Sequence, residues 1–166
     1  MKILFLTAYF PPELGSASNL FYQLGTEFVR RGHKVTVLTH YPSYNIKPED
    51  LPIQFQRGKW MREQVEGMNV IRVRNISVPR HIPILRGMSQ LSTMSSLAFS
   101  GLFLAKEKPD VILVYSPPLF IGLTALLLRF FKARIAVMNV QDLFPQSAID
   151  LGVLKSPLLI KIFRWV

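Results

Sequence analysis

Residues 1–24 read MKILFLTAYFPPELGSASNLFYQL, and the fold turns on how this run is parsed. ILFLTAYF (3–10) is nearly unbroken in apolar character, stops at Pro11-Pro12, passes Gly15 and then takes up helical spacing. A secretory signal would put Lys2 before the apolar core and Ser16-Ala17-Ser18 at the cleavage site. Against that reading, the core is short for a signal and the two prolines interrupt it. The competing reading is a strand, a binding loop and a helix start. Lys2 to Thr7 suits a strand buried on both faces, because its apolar run is continuous and not alternating. Pro11 and Pro12 impose an extended exit from that strand. Gly15 lets backbone approach a ligand, and Ser16 or Ser18 suits a helix cap where unpaired N–H groups favour an anion. A plain turn at Gly15 with a plain cap at Ser18 stays open beside it.

The rest of the chain repeats the alternation. A helix is predicted from about Ala17 to Arg31, with Leu20, Leu24 and Phe28 as its core stripe and Gly32 at its C-terminal end. KVTVLT (34–39) is the second strand, and strand, helix and strand within so short a span describe a crossover on a parallel sheet. HYPSYNIKPEDLPIQFQRGKW (40–60) holds three prolines and no sustained period, so Tyr41 to Glu66 reads as one long loop. NVIRVRNI (69–76) alternates, with Arg72 and Arg74 on one face. A helix over 86–106 follows, with Leu91, Met94, Ala98, Leu102 and Ala105 at helical spacing. Then come the strand VILVY, Ser116-Pro117-Pro118, a helix to about Lys132, the strand RIAVMNV, the loop DLFPQSAIDLG and a further helix begun by KSPLLIKIFRWV. This order predicts an α/β, doubly wound, mainly parallel sheet with helices on both faces.

The charge-free run GMSQLSTMSSLAFSGLFLA (87–105) approaches a membrane span in length, yet it carries five serines, a threonine and a glutamine. A helix packed on a sheet suits that content better. LFIGLTALLLRFF (119–131) is more apolar and too short to span. Lys and Arg total 20 against 10 Asp and Glu, a formal charge of +10. That balance calls for an anionic partner: nucleic acid, an anionic membrane surface or a phosphorylated ligand. The sequence has no cysteine, which removes disulfides, thiolate metal sites and thiol nucleophiles and suits a reducing cytoplasm.

In doubly wound sheets ligands bind beyond the carboxyl ends of the strands. Those ends are Tyr9 to Ser18, His40 to Tyr44, Ser116-Pro117-Pro118 and Gln141 to Pro145. The first matches neither G-x-G-x-x-G nor the P-loop, which disfavours a nicotinamide cofactor and a Walker-type site. AYFPPELGSASNLFYQLGTEFVRRGHKVTVLTHYP (8–42), PDVILVYSPP (109–118) and VMNVQDLFPQSAIDLG (137–152) together resemble the family-4 retaining glycosyltransferases with the GT-B fold. They look most like the bacterial enzymes that build capsule, O-antigen or exopolysaccharide repeat units.

The resemblance implies that residues 1–166 form one Rossmann-like acceptor domain. The donor-binding domain, with the family's paired glutamates, has no counterpart in the sequence, so the fragment alone is expected to be inactive. It implies transfer of a sugar from a nucleotide-sugar donor to a saccharide or polyprenyl-linked acceptor, without a cofactor or an essential metal. Gly15 and Ser16 take the place of the family's glycine loop, with Ser16 where many members have a second glycine. After the fifth strand many members carry a histidine. Here Gln141 and Asp142 stand in that stretch, Asp142 able to act as a base and Gln141 only to hydrogen-bond. Glu13, His40 and Ser116 complete the expected substrate-binding set. Asp142 also fits a helix cap before PQSAID, and Glu13 a solvated loop carboxylate.

Arg57, Lys59, Arg62, Arg72, Arg74, Arg80 and Arg86 crowd the middle of the chain beside Trp60. Bases mixed with aromatics suit peripheral contact with an anionic membrane, on the inner face for a cytoplasmic enzyme, while a solvated basic face explains the charge alone. No nucleic-acid module is recognisable, and three scattered histidines make no metal site. Two rivals stand beside the enzyme reading: a non-catalytic acceptor- or membrane-binding subunit of a split transferase, and a nucleotide-binding regulatory domain.

Overall fold

The computed structural model describes residues 1–43, 46, 51–56, 58–74, 83–118, 120–143, 145–152 and 154–165, with backbone only at 56, 83–90 and 163–165. In chain order the elements are β1 (Lys2–Leu6), α1 (Ser16–Arg30), β2 (Lys34–His40), α2 (Ile53–Gln56), β3 (Trp60–Val65), β4 (Met68–Val73), α3 (Pro83–Phe103), β5 (Val111–Ser116), α4 (Ile121–Lys132), β6 (Ile135–Val140), α5 (Gln146–Asp150) and α6 (Pro157–Trp165).

The strands form one sheet in the order β3-β4-β2-β1-β5-β6. β1 lies parallel to β2 and β5, β2 to β4, and β5 to β6, while β3 runs antiparallel to β4. The mainly parallel α/β sheet is the architecture expected from the alternating pattern. One sheet face packs Leu4, Leu6, Leu38, Ile71, Ile112 and Val114 against Leu97 of α3 and Leu128 of α4. The other packs Ile3, Phe5, Val37, Met68 and Val70 under Phe21 of α1. Adjacent strand residues point to opposite faces, so a strand clothed on both sides must be apolar at successive positions, as β1 is from Ile3 to Leu6.

α1 sits close to the sheet at Gly25, where a Cβ would fall 2.3 Å from the Met68 sulfur and 3.1 Å from the Phe5 ring. The buried stripe of α1 is Ser18, Phe21 and Gly25. Leu24 and Phe28 pack beside it, but Leu20 is 40% exposed, so the expected stripe is rotated by one residue. Gly32, at φ 81°, closes the helix as the sequence predicts. In α3 the inward residues include Leu97, Ala98 and Thr93, and Leu91 faces outward.

The expected long loop from Tyr41 to Glu66 is not one loop. It contains α2 and the edge strand β3, whose exposure alternates residue by residue. Glu66 and Gly67 join β3 to β4 with φ of 47° and 78°, the two positive values that a tight hairpin turn of matching twist requires. Likewise the predicted loop after β6 includes the short helix α5. No helix among the described residues is long and apolar enough to cross a membrane.

Candidate functional site at the carboxyl edge of the sheet

Strand order reverses between β1 and β5: from β1 the chain proceeds outward to β2, and β5 returns on the other side. Ligand crevices in doubly wound sheets open at such a switch point, outside the carboxyl ends of the strands. Here the loop 7–15 and the loop 116–118 flank it.

The first loop is held rigidly. Thr7 turns the chain, its hydroxyl donating to Tyr9 O at 2.9 Å and accepting from Tyr9 N–H at 3.2 Å. Phe10 is fully buried and lies beside Tyr22 of α1. Glu13, 2% exposed, accepts the Ser43 N–H at 2.7 Å and so ties the loop after β1 to the loop after β2. The centre of this support is Arg72 on β4, 1% exposed. Its Nε donates to Glu63 Oε1 at 2.5 Å, its Nη1 to His40 O at 3.5 Å, and its Nη2 to Pro11 O. The guanidinium also lies against the rings of Phe55 and Phe10, at 5.2 and 5.9 Å. Burial disfavours its charge, and Glu63 followed by Glu13 offset that. Sequence reasoning counted Arg72 only as one of a basic group. The signal was an arginine in an otherwise apolar strand, V-I-R-V, with a glutamate across the hairpin.

At its start α1 has Gly15 as N-cap, with no side-chain cap and no acidic residue in the first turn. The expected serine cap is therefore not made. Ser16 is the first helical residue and exposed. Ser18 is 1% exposed, and its hydroxyl has no hydrogen-bond partner among the described residues. Gly15 has open space where a Cβ would stand. A helix start left in this state presents free N–H groups and the positive end of the macrodipole.

His40 is buried, its Nε2 3.1 Å from Ser96 Oγ on α3. Because the Ser96 hydroxyl donates to Thr93 O, its oxygen accepts from His40, which places the imidazole proton on Nε2. Desolvation pushes the His40 pKa down to about 4, so the ring is neutral near pH 7. Ser116 is buried, and its carbonyl accepts the Gln141 N–H at 3.1 Å. That contact brings the ends of β5 and β6 together. Gln141 and Asp142 are exposed, and Gln141 Nε2 donates to Asn139 Oδ1 at 2.5 Å. Asp142 does not cap α5, whose N-cap is Pro145.

Of the basic patch, Lys59 and Arg62 are exposed and Trp60 is 47% exposed on the edge strand β3, with the Arg62 guanidinium 5.5 Å from the Trp60 ring. Arg62 also donates to Leu104 O. Arg57 and Arg80 lie outside the described residues, and Arg86 falls on α3 with its side chain outside them. Among the described residues no group of three or more His, Asp or Glu is placed to hold a metal.

A cavity of about 330 Å³ lies at the opposite, amino end of the sheet, lined by Lys2, His33, Lys34, Arg62 and Glu107 among others. Part of its polar lining is already engaged. Lys2 Nζ pairs with Glu107 at 3.1 Å, Lys2 N–H donates to Asp110, and Arg62 to Leu104 O. The carboxyl edge, with its unused helix donors, is the better candidate.

The profile of the glycosyl transferase 4-like domain matches residues 15–166. The chain belongs to that family. Among solved structures it is similar to CalG4, the calicheamicin glycosyltransferase, with a TM-score of 0.58 and 14% identity over 97% of this chain and 40% of that one. At that identity the likeness shows the fold, and the chain spans well under half of that protein's length. A second likeness, to the C-terminal domain of a hydrogenase from Pyrococcus furiosus, has a TM-score of 0.48 and 16% identity, over 84% of this chain and 89% of that one. No curated protein matches the sequence.

Proposed function

We propose that this chain is the acceptor-side domain of a retaining GT-B glycosyltransferase. The enzyme would move a sugar from a nucleotide-sugar to a saccharide or polyprenyl-linked acceptor in surface polysaccharide synthesis. Family membership supports the class of reaction. The observation that carries the placement of the site is the uncapped start of α1 beside the β1–β5 switch point, where backbone N–H groups suit a diphosphate. In this reading Gly15 and Ser16 meet the ligand directly. Glu13, His40 and Ser116, all buried, fix the loops that form the floor. Asp142 accepts or orients a hydroxyl proton, and Gln141 holds it by hydrogen bonding. A second Rossmann-like domain, in the same polypeptide or a partner chain, would hold the nucleotide and stabilise the leaving diphosphate.

The test is a transfer assay with nucleotide-sugars, run on the 166-residue chain alone and with a donor-binding half supplied. Little or no turnover alone, and turnover restored by the second half, is expected. Robust turnover by the isolated chain would overturn the division of labour. No turnover in either state, with acceptor still bound, would favour a non-catalytic binding subunit.

A further inference from the structure

α4 carries two apolar stripes where one would suffice. Ile121, Thr124, Ala125 and Leu128 are buried against the sheet and α3. Leu123, Leu126, Leu127, Phe130 and Phe131 follow the same i, i+3, i+4, i+7, i+8 spacing on the outer side, and all five are exposed. The outer side of α3, which packs against α4 through Gly101 and Leu128, adds Phe99 and Phe103, 61% and 65% exposed. Their rings lie 4.6 Å apart. A helix apolar on all sides belongs in a core or against a membrane, and this one has solvent on its outer side.

The rim of this face is basic. Lys106 and Lys108 follow α3, Arg129 lies in the last turn of α4 and Arg134 just beyond it, and all four are exposed. Lys132 Nζ caps Ala105 O at 2.6 Å and joins the two helix ends. The acidic residues in that stretch are engaged by Lys2: Glu107 pairs with its ammonium, and Asp110 accepts its backbone N–H. Cations at a helix C-terminus complement its dipole, which accounts for part of the charge. It does not account for four exposed phenylalanines beside them.

We infer that the outer face of α3 and α4 docks the protein on an anionic lipid surface, with Phe99, Phe103, Phe130 and Phe131 entering the interface and Lys106, Lys108, Arg129 and Arg134 meeting lipid phosphates. Apolar burial and cation attraction are the two forces that hold an interfacial helix on a bilayer. The formal charge of +10 favours the same surface. The inference takes up the membrane contact expected from the sequence and does not rest on the transfer chemistry of the proposed function. It moves the contact from the β3 edge to the helices.

The experiment is cosedimentation of the full chain with phosphatidylcholine vesicles containing phosphatidylglycerol, and with pure phosphatidylcholine vesicles. Three variants are compared: Phe130→Ser with Phe131→Ser, Arg129→Glu with Arg134→Glu, and Lys59→Glu with Trp60→Ser. All replace exposed side chains, and melting curves check the fold. Binding to the anionic vesicles only, weakened by salt, is expected. Either α4 variant should lower the partition coefficient by at least about tenfold, one through lost cation attraction and the other through lost apolar burial. The β3 variant should leave it unchanged. Loss of binding only in the β3 variant, equal binding to neutral vesicles, or no vesicle binding would overturn the inference. So would self-association without lipid that the α4 variants abolish, since the face would then join two copies.

Discussion

Arg72 Nε and Glu63 Oε1 meet at 2.5 Å across the β3–β4 hairpin, with the arginine side chain 1% exposed. This pair fastens the edge strand to the sheet, and through Pro11 O it fastens the loop that precedes α1. A buried charge that loses its partner is costly, whereas an apolar replacement of both partners is close to neutral. Glu63→Gln should therefore lower the unfolding free energy by about 3 kcal/mol or more, and Arg72→Met with Glu63→Met should recover only part of it, because Pro11 O and His40 O lose their donor. Urea titration measures both, and an unchanged midpoint for Glu63→Gln would contradict the role given to the pair.

His40 sets a pH dependence. Its folded pKa, about 4, lies below the ordinary 6.5, so the unfolded chain takes up the proton first. Stability from this group is fully present above pH 6.5 and falls as pH drops toward 4. About 2–3 kcal/mol should be lost between those values. Urea unfolding from pH 7 to 4.5 should show this slope, and His40→Gln, which keeps a donor for Ser96, should flatten it. An equal slope in both proteins would remove His40 as the cause.

Gly25 is a point of close approach between α1 and the sheet, and Met68 opposite it is fully buried. Gly25→Val should cost about 1–3 kcal/mol by overpacking, read as a lower melting temperature. No loss would mean that the helix rides further from the sheet.

For the proposed chemistry, Asp142→Asn, assayed with a donor-binding half supplied, should cut turnover by about 10²-fold or more and leave the melting temperature of this domain unchanged, because Asp142 is exposed. Full activity in the variant would exclude it as the base.

β1, β2 and β5 were legible because strands covered on both faces leave continuous apolar runs. β3 was hidden because an edge strand is half polar: WMREQV reads as loop until Glu66-Gly67 is recognised as its turn. The α1 stripe was misplaced by one residue, since Leu20 and Phe21 are both apolar and only the close approach at Gly25 decides between them. For the site, topology alone placed the strand-end loops. The burial of Glu13, His40 and Arg72 was not legible, because a charged residue becomes an interior one only through partners distant in sequence.

The central claim is that the anion site lies over the uncapped start of α1 and not in the basic cavity at the other end of the sheet. Amide chemical-shift mapping during titration with inorganic pyrophosphate tests it most directly. Shifts centred on Gly15, Ser16, Ala17 and Ser18 are predicted, and Gly15→Leu should diminish them. Shifts confined to Lys2, His33 and Lys34, or none at all, would contradict the account.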